Sequence, residues 1–174
     1  PDTLRKMASD GVRNALAFVT SAYSSYSSCR QYRQNIADAQ AQVGPSAPRV
    51  EKLRTFYNHP LFIEANVDHI RNAWQQLNDP ASAHLVFTAH SIPESMAANC
   101  DYAMQLNQTG SRIAQALNIE NWELVYQSRS GSRSQPWLGP DVCDHLNTLR
   151  KAGVKEVVVA PIGFVSDHME VVYD

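Results

Sequence analysis

Along the chain, stretches with apolar residues every three or four positions alternate with short runs of continuous β-branched and aromatic residues. Leu4 to Ser9 reads as a helix closing on Gly11, and Asn14 to Val19 as a short buried strand. Tyr26 to Gln42 is polar with recurring Gln and Ala, as a surface helix is, and ends in the Gly44-Pro45 turn signal. Val50 to Phe56 reads as another strand. Pro60 opens a helix in which Leu61, Phe62, Ala65, Ile70, Ala73, Trp74 and Leu77 fall near one face, ended by Asn78-Asp79-Pro80. His84 to Thr88 then predicts a strand, Met96 to Leu117 a helix and Trp122 to Gln127 a strand. Asp141 to Ala152 predicts a helix stopped by Gly153, and Glu156 to Pro161 has the unbroken apolar content of a fully buried parallel strand.

Strands separated by helices of ten to twenty residues predict an α/β fold, a Rossmann-like parallel sheet with helices on both faces. Functional residues in such sheets gather beyond the carboxyl ends of the strands, which selects the residues after Phe87, after Val125 and after Ala160. There is no internal repeat and no low-complexity linker, so the candidate domain boundary falls near Thr55 to Pro60.

Apolar residues make up 44% of the 174 and charged residues 18%, the balance of a globular protein and not of a disordered one. The net charge of −2 and scattered Lys and Arg argue against a nucleic-acid partner. No stretch approaches the ~20 apolar residues of a membrane span, and PDTLRKMASD is not a signal peptide. A cytoplasmic location is expected, with peripheral membrane contact left open. Cys29, Cys100 and Cys143 are odd in number and far apart, as reduced thiols are. Without an initial Met, and stopping at Asp174 inside a helical pattern, the chain is expected to be a fragment.

The first strand end carries His90, followed by Ser91-Ile92-Pro93, where the proline turns the chain away. Taken alone, such a His is more often structural or capping than catalytic. The second strand end opens a long polar loop with Ser128, Arg129 and Trp137, either a solvated loop anchored by an aromatic or a substrate wall. No GxGxxG or Walker pattern supports a nucleotide site. Beyond the third, Ser166 or Asp167 is placed to cap a helix on which Glu170 and Asp174 share a face. Like charges at that spacing repel, so they form either a solvated acidic face or a ladder that a metal ion would stabilise.

The strings FTAHSIPESM, VYQSRSGSRSQPWLGP and VVVAPIGFVSDHMEVVYD closely resemble three signature regions of ferrochelatases, in the same order and at similar separations. Upstream, VTSAYSSYSSCRQYRQN looks like the actinobacterial branch, so the resemblance covers nearly the whole chain. It implies two similar Rossmann-like domains in the full protein, with residues 1–57 finishing the first and residues 58–174 forming most of the second. It implies insertion of Fe2+ into a porphyrin, with His90 and Glu170 catalytic and Asp174 the next acidic position along the iron path. Ser128, Arg129 and Trp137 are its candidate substrate contacts, Arg129 because a guanidinium pairs well with a propionate. The actinobacterial lineage implies coproporphyrin III as substrate and coproheme as product, with protoporphyrin IX as the alternative. Some ferrochelatases also hold a [2Fe–2S] cluster, for which Cys29 is the candidate ligand and this chain too short to supply the rest. Two rival readings are a non-catalytic tetrapyrrole- or metal-binding module and a cobalt chelatase, the latter disfavoured by PIGFVSDHMEVVYD.

Overall fold

The computed structural model describes residues 1–174 except 27–29, 132–133, 167–168, 170 and 172–174. Its helices are α1 (Asp2–Ser9), α2 (Gln31–Val43), α3 (Pro60–Trp74), α4 (Glu94–Ala97), α5 (Tyr102–Leu117) and α6 (Val142–Lys151). Its strands are β1 (Asn14–Ala17), β2 (Arg49–Lys52), β3 (His84–His90), β4 (Trp122–Gln127) and β5 (Val157–Ala160). They form two parallel sheets, a β1-β2 pair and a three-stranded sheet in the order β4-β3-β5.

The three-stranded sheet organises the core. Alternate residues of β3 point to opposite faces. Leu85, Phe87 and Ala89 join Val67 and Ile70 of α3 and Leu106 and Ile113 of α5 on one side. Val86 meets Val125 of β4 and Leu149 of α6 on the other. Helices on both faces are what the alternating pattern predicts, and β3 is buried along its interior as a central parallel strand must be.

Local signals fix the helices that press on this sheet. Pro60 takes the first position of α3, and the His59 ring accepts from the Leu61 N–H as a cap. In α5, Gly110 lies against the sheet: a Cβ there would stand 3.0 Å from the Phe87 ring and 3.2 Å from Trp122. Only a helix without a side chain at that position reaches β3 so closely. In α6, the Asp141 carboxylate caps the Cys143 N–H, while Arg150 and Lys151 complement the dipole at the other end.

The structure departs from the sequence pattern in several places, among them the strand expected over Val50 to Phe56, which ends at Lys52. The single helix expected over Met96 to Leu117 is divided into α4 and α5, with Asp101 at the N-terminal boundary of α5. The Asn14 to Val19 run is not a buried strand, since Leu16 is 70% and Phe18 64% exposed. β5 is not buried on both faces: Val158 and Ala160 are buried but Val159 is 46% exposed. The reason is the neighbourhood. Val159 borders an open groove of about 500 Å³ walled by α3, Pro161, Phe164 and Val165. Cys100 and Cys143 are free thiols, as expected, Cys100 half-buried and Cys143 exposed in the first turn of α6.

Candidate functional site

β3 runs two residues further than its apolar run suggests, so His90 is its last residue, in register with Gln127 at the end of β4. The imidazole is half-buried, with Nδ1 within hydrogen-bonding distance of the Ser91 carbonyl. A carbonyl only accepts, so this contact assigns the proton to Nδ1 and leaves the ring's lone pair on Nε2. An imidazole in that tautomer takes up a proton or ligates a metal through Nε2.

The backbone carrying His90 is held from several directions. The Tyr102 hydroxyl, in the first turn of α5, donates to the His90 carbonyl at 3.0 Å. The Thr88 hydroxyl donates to Gln127 Oε1 at 2.8 Å, and the Ser91 N–H to the Gln127 carbonyl at 2.8 Å. The Ser91 hydroxyl reaches the Leu138 carbonyl at 2.8 Å, and the Leu138 N–H returns to the Ile92 carbonyl at 3.0 Å. From beyond β5, the Gly163 N–H donates to the Thr88 carbonyl at 3.0 Å. A Cβ at Gly163 would lie 2.6 Å from Ala89 Cα, so only glycine allows this approach. The three strand ends selected by the sequence thus meet around one histidine.

Tyr23, from the segment after β1, reaches the same region and donates to the Ile162 carbonyl at 2.9 Å. Burial holds the phenols of Tyr23 and Tyr102 far above their ordinary ionisation range, so both remain neutral donors.

In the second loop, Ser128 is in the left-handed region at φ 60°, and its hydroxyl is buried without a hydrogen-bond partner. Trp137 is half-buried, pairs in an isolated bridge with Pro93, and its indole N–H is likewise buried and unpartnered. Arg129 is exposed and donates to the Gln135 carbonyl of its own loop at 3.2 Å. Glu170, Asp174 and Cys29, along with the capping candidate Asp167, lie outside the described residues. Among the described residues, no group of three or more His, Cys, Asp or Glu side chains could hold a metal ion. No described helix is long and apolar enough to cross a membrane.

The sequence pattern did not single out Tyr23, Tyr102, Gln127 or Gly163. Gly163 alone had a readable signal, a glycine three residues beyond the end of β5; the others act through backbone carbonyls or a buried amide, which leave no motif.

A family model described as ferrochelatase matches residues 1–174. The ferrochelatase of Rhodopirellula baltica is 52% identical over 175 residues, which cover 99% of this chain and 50% of that protein. The coproporphyrin III ferrochelatases of Mycobacterium marinum and Streptomyces coelicolor are 48% identical over 176 residues and 46% over 195. Each alignment covers 99% of this chain, and 51% and 52% of the respective relative. The chain spans about half the length of the curated relatives it matches.

Proposed function

Because this chain belongs to the ferrochelatase family, we propose that the protein containing it inserts Fe2+ into coproporphyrin III to give coproheme. The observation that carries the reading is the half-buried His90 at the end of the central strand, with Nδ1 turned to a backbone carbonyl. Metallation requires two pyrrole protons to leave the macrocycle as the metal enters. With Nδ1 turned to the Ser91 carbonyl, Nε2 of His90 is the ring nitrogen left to accept such a proton. Glu170 and Asp174, four positions apart in the sequence, guide iron toward the ring or relay protons away from it.

Ser128, Arg129 and Trp137 wall the macrocycle. Support for the first and last comes from the buried, unpartnered Ser128 hydroxyl and Trp137 N–H, since such groups are destabilising until a ligand satisfies them. Support for Arg129 comes from its exposed guanidinium in the same loop, a group that pairs with a propionate. Residues 1–57 complete one Rossmann-like domain and residues 58–174 form most of a second, in keeping with one sheet on each side of that boundary. The protein acts in the cytoplasm. Cys29 contributes one ligand to a [2Fe–2S] cluster whose other ligands come from outside this chain. Iron and acid-labile sulfide in the purified full-length protein test the cluster, and absence of both removes it.

Coproporphyrin is preferred to protoporphyrin IX because the relatives from Mycobacterium and Streptomyces carry that name. The test is anaerobic metallation by the full-length protein, followed by the change in porphyrin absorption. Turnover of coproporphyrin III in preference to protoporphyrin IX is expected. Porphyrin binding with no metal insertion would reduce the protein to a tetrapyrrole-binding module.

A further inference from the structure

A strand inside a parallel sheet bonds its two neighbours through alternate residues, so the peptide groups of β3 face β4 and β5 in turn. Its odd-numbered residues turn to β4: the Leu85 N–H meets the Asn121 carbonyl and, just past the strand, the Ser91 N–H meets the Gln127 carbonyl. The even-numbered residues turn to the β5 side, where the His84 N–H meets the Glu156 carbonyl. β5 stops short, since its last residue, Ala160, pairs with Phe87. The Thr88 carbonyl still finds a backbone donor, the Gly163 N–H at 3.0 Å. One step further, the His90 carbonyl has no strand beside it on that side among the described residues. A side chain takes the place of the ladder there: the Tyr102 hydroxyl donates to it at 3.0 Å.

That bond completes a clamp on one peptide. The unit joining His90 to Ser91 is held at its N–H by the Gln127 carbonyl, at 2.8 Å, and at its C=O by Tyr102 from the opposite side. Because a peptide is planar, two such bonds fix its tilt, and with it ψ of His90 and φ of Ser91. The Ser91 hydroxyl donates to the Leu138 carbonyl at 2.8 Å and anchors the residue that follows. The Ser91 carbonyl is thereby held where it faces Nδ1 of the His90 ring. Tyr102 is itself firmly placed at the start of α5, only 7% exposed, with its ring edge-on to Tyr23 at 6.1 Å between centroids.

We infer that Tyr102 is a positioning residue, whose hydroxyl fixes the His90–Ser91 peptide and so holds the ring proton of His90 on Nδ1. The inference rests on the metallation reading above and adds to it what sets the state of the proton acceptor. Without the hydroxyl the peptide tilts, the Ser91 carbonyl no longer faces Nδ1, and the proton divides between the two ring nitrogens.

The test is a double-mutant cycle in the full-length protein, read as the rate of iron insertion into coproporphyrin III. Tyr102→Phe keeps the ring and should lower kcat about tenfold while KM for the porphyrin stays the same, the mark of a misplaced reacting group and not of lost binding. In the His90→Ala background the same substitution should have no further effect, because it reaches the reaction only through the imidazole. An equal fall in both backgrounds, or none in either, overturns the inference. If Tyr102→Phe does not fold, p-aminophenylalanine at position 102, a weaker donor on the same ring, takes its place in the cycle and the same outcomes decide. If the unaltered protein inserts no iron, or His90→Ala inserts it at the unaltered rate, the catalytic reading fails and the ring-nitrogen chemical shifts of His90 decide the inference. A proton held on Nδ1 in the unaltered protein and divided between both nitrogens in the variant then supports it; identical ring shifts overturn it.

Discussion

The two sheets of this protein are built from similar apolar runs and have opposite surroundings. In β3, HLVFT is enclosed by helices on both faces, and Leu85 and Phe87 are fully buried. In β1 and the residues after it, NALAFV leaves Leu16 and Phe18 largely in the open. Apolar character supplies the tendency to be buried; the neighbours decide whether it is realised. The difference also separates a platform from a flank. His90 rides on the enclosed sheet, where α5, the Leu138 loop and Gly163 each bond to the chain around it. A side chain positioned on such a scaffold loses little freedom when substrate arrives.

The sharpest contrast comes from truncating one side chain in each sheet. In the 174-residue chain, Phe87→Ala is expected to destabilise by about 3–5 kcal/mol, and Leu16→Ala by no more than about 0.5 kcal/mol, read by urea unfolding. Comparable losses would mean that the two sheets are equally enclosed. Next in size, Gly163→Ala forces a methyl against the Ala89 backbone and should cost about 1–3 kcal/mol. Because it displaces the strand that ends in His90, it should also slow the proposed iron insertion by the full-length protein, whereas Gly139→Ala, whose added methyl meets nothing within 4 Å, should disturb that strand less.

Smaller effects appear in the pH profile. Burial raises the phenols of Tyr23 and Tyr102 in the folded state, while the unfolded chain ionises near pH 10. Their stabilisation is therefore complete below about pH 10 and is lost as the pH rises beyond it. The Tyr23→Phe/Tyr102→Phe variant should unfold with a shallower alkaline slope. At the other extreme, the Glu156 carboxylate accepts from the Asn78 and Asp79 backbone N–H groups and the Asn78 side chain, which lowers its pKa. Its contribution is present above the ordinary value near 4.3 and fades as the pH falls below it. Glu156→Gln should flatten that acid limb slightly, and an unchanged limb would remove the carboxylate from the account of acid stability.

Much of this architecture was legible in the residues, for physical reasons. β4 matches its WELVYQ run at both ends because its alternation and flanking polar turns are local signals. That a strand ends near His90 was legible because Pro93 turns the chain, although the strand runs two residues beyond the expected Thr88. The one-sided burial of β5 was not, since VVVA reads alike whether a groove or a helix lies beyond Val159. The division between α4 and α5 escaped because nothing from Ala98 to Asp101 excludes a helix by propensity alone. In the site, Tyr102 and Gln127 were invisible for a different reason: each is joined to a distant segment, Tyr102 through the His90 carbonyl and Gln127 through Thr88 and Ser91, and such pairings leave no motif to read.

The direct measurement of the central claim is the initial rate of iron insertion into coproporphyrin III by the full-length His90→Ala protein, with porphyrin binding followed in parallel. If His90 accepts the pyrrole proton, as proposed, its loss should lower the rate by about 10²–10⁴-fold while the porphyrin still binds. A rate equal to that of the unaltered protein would contradict the assignment of His90 and the reading built on it.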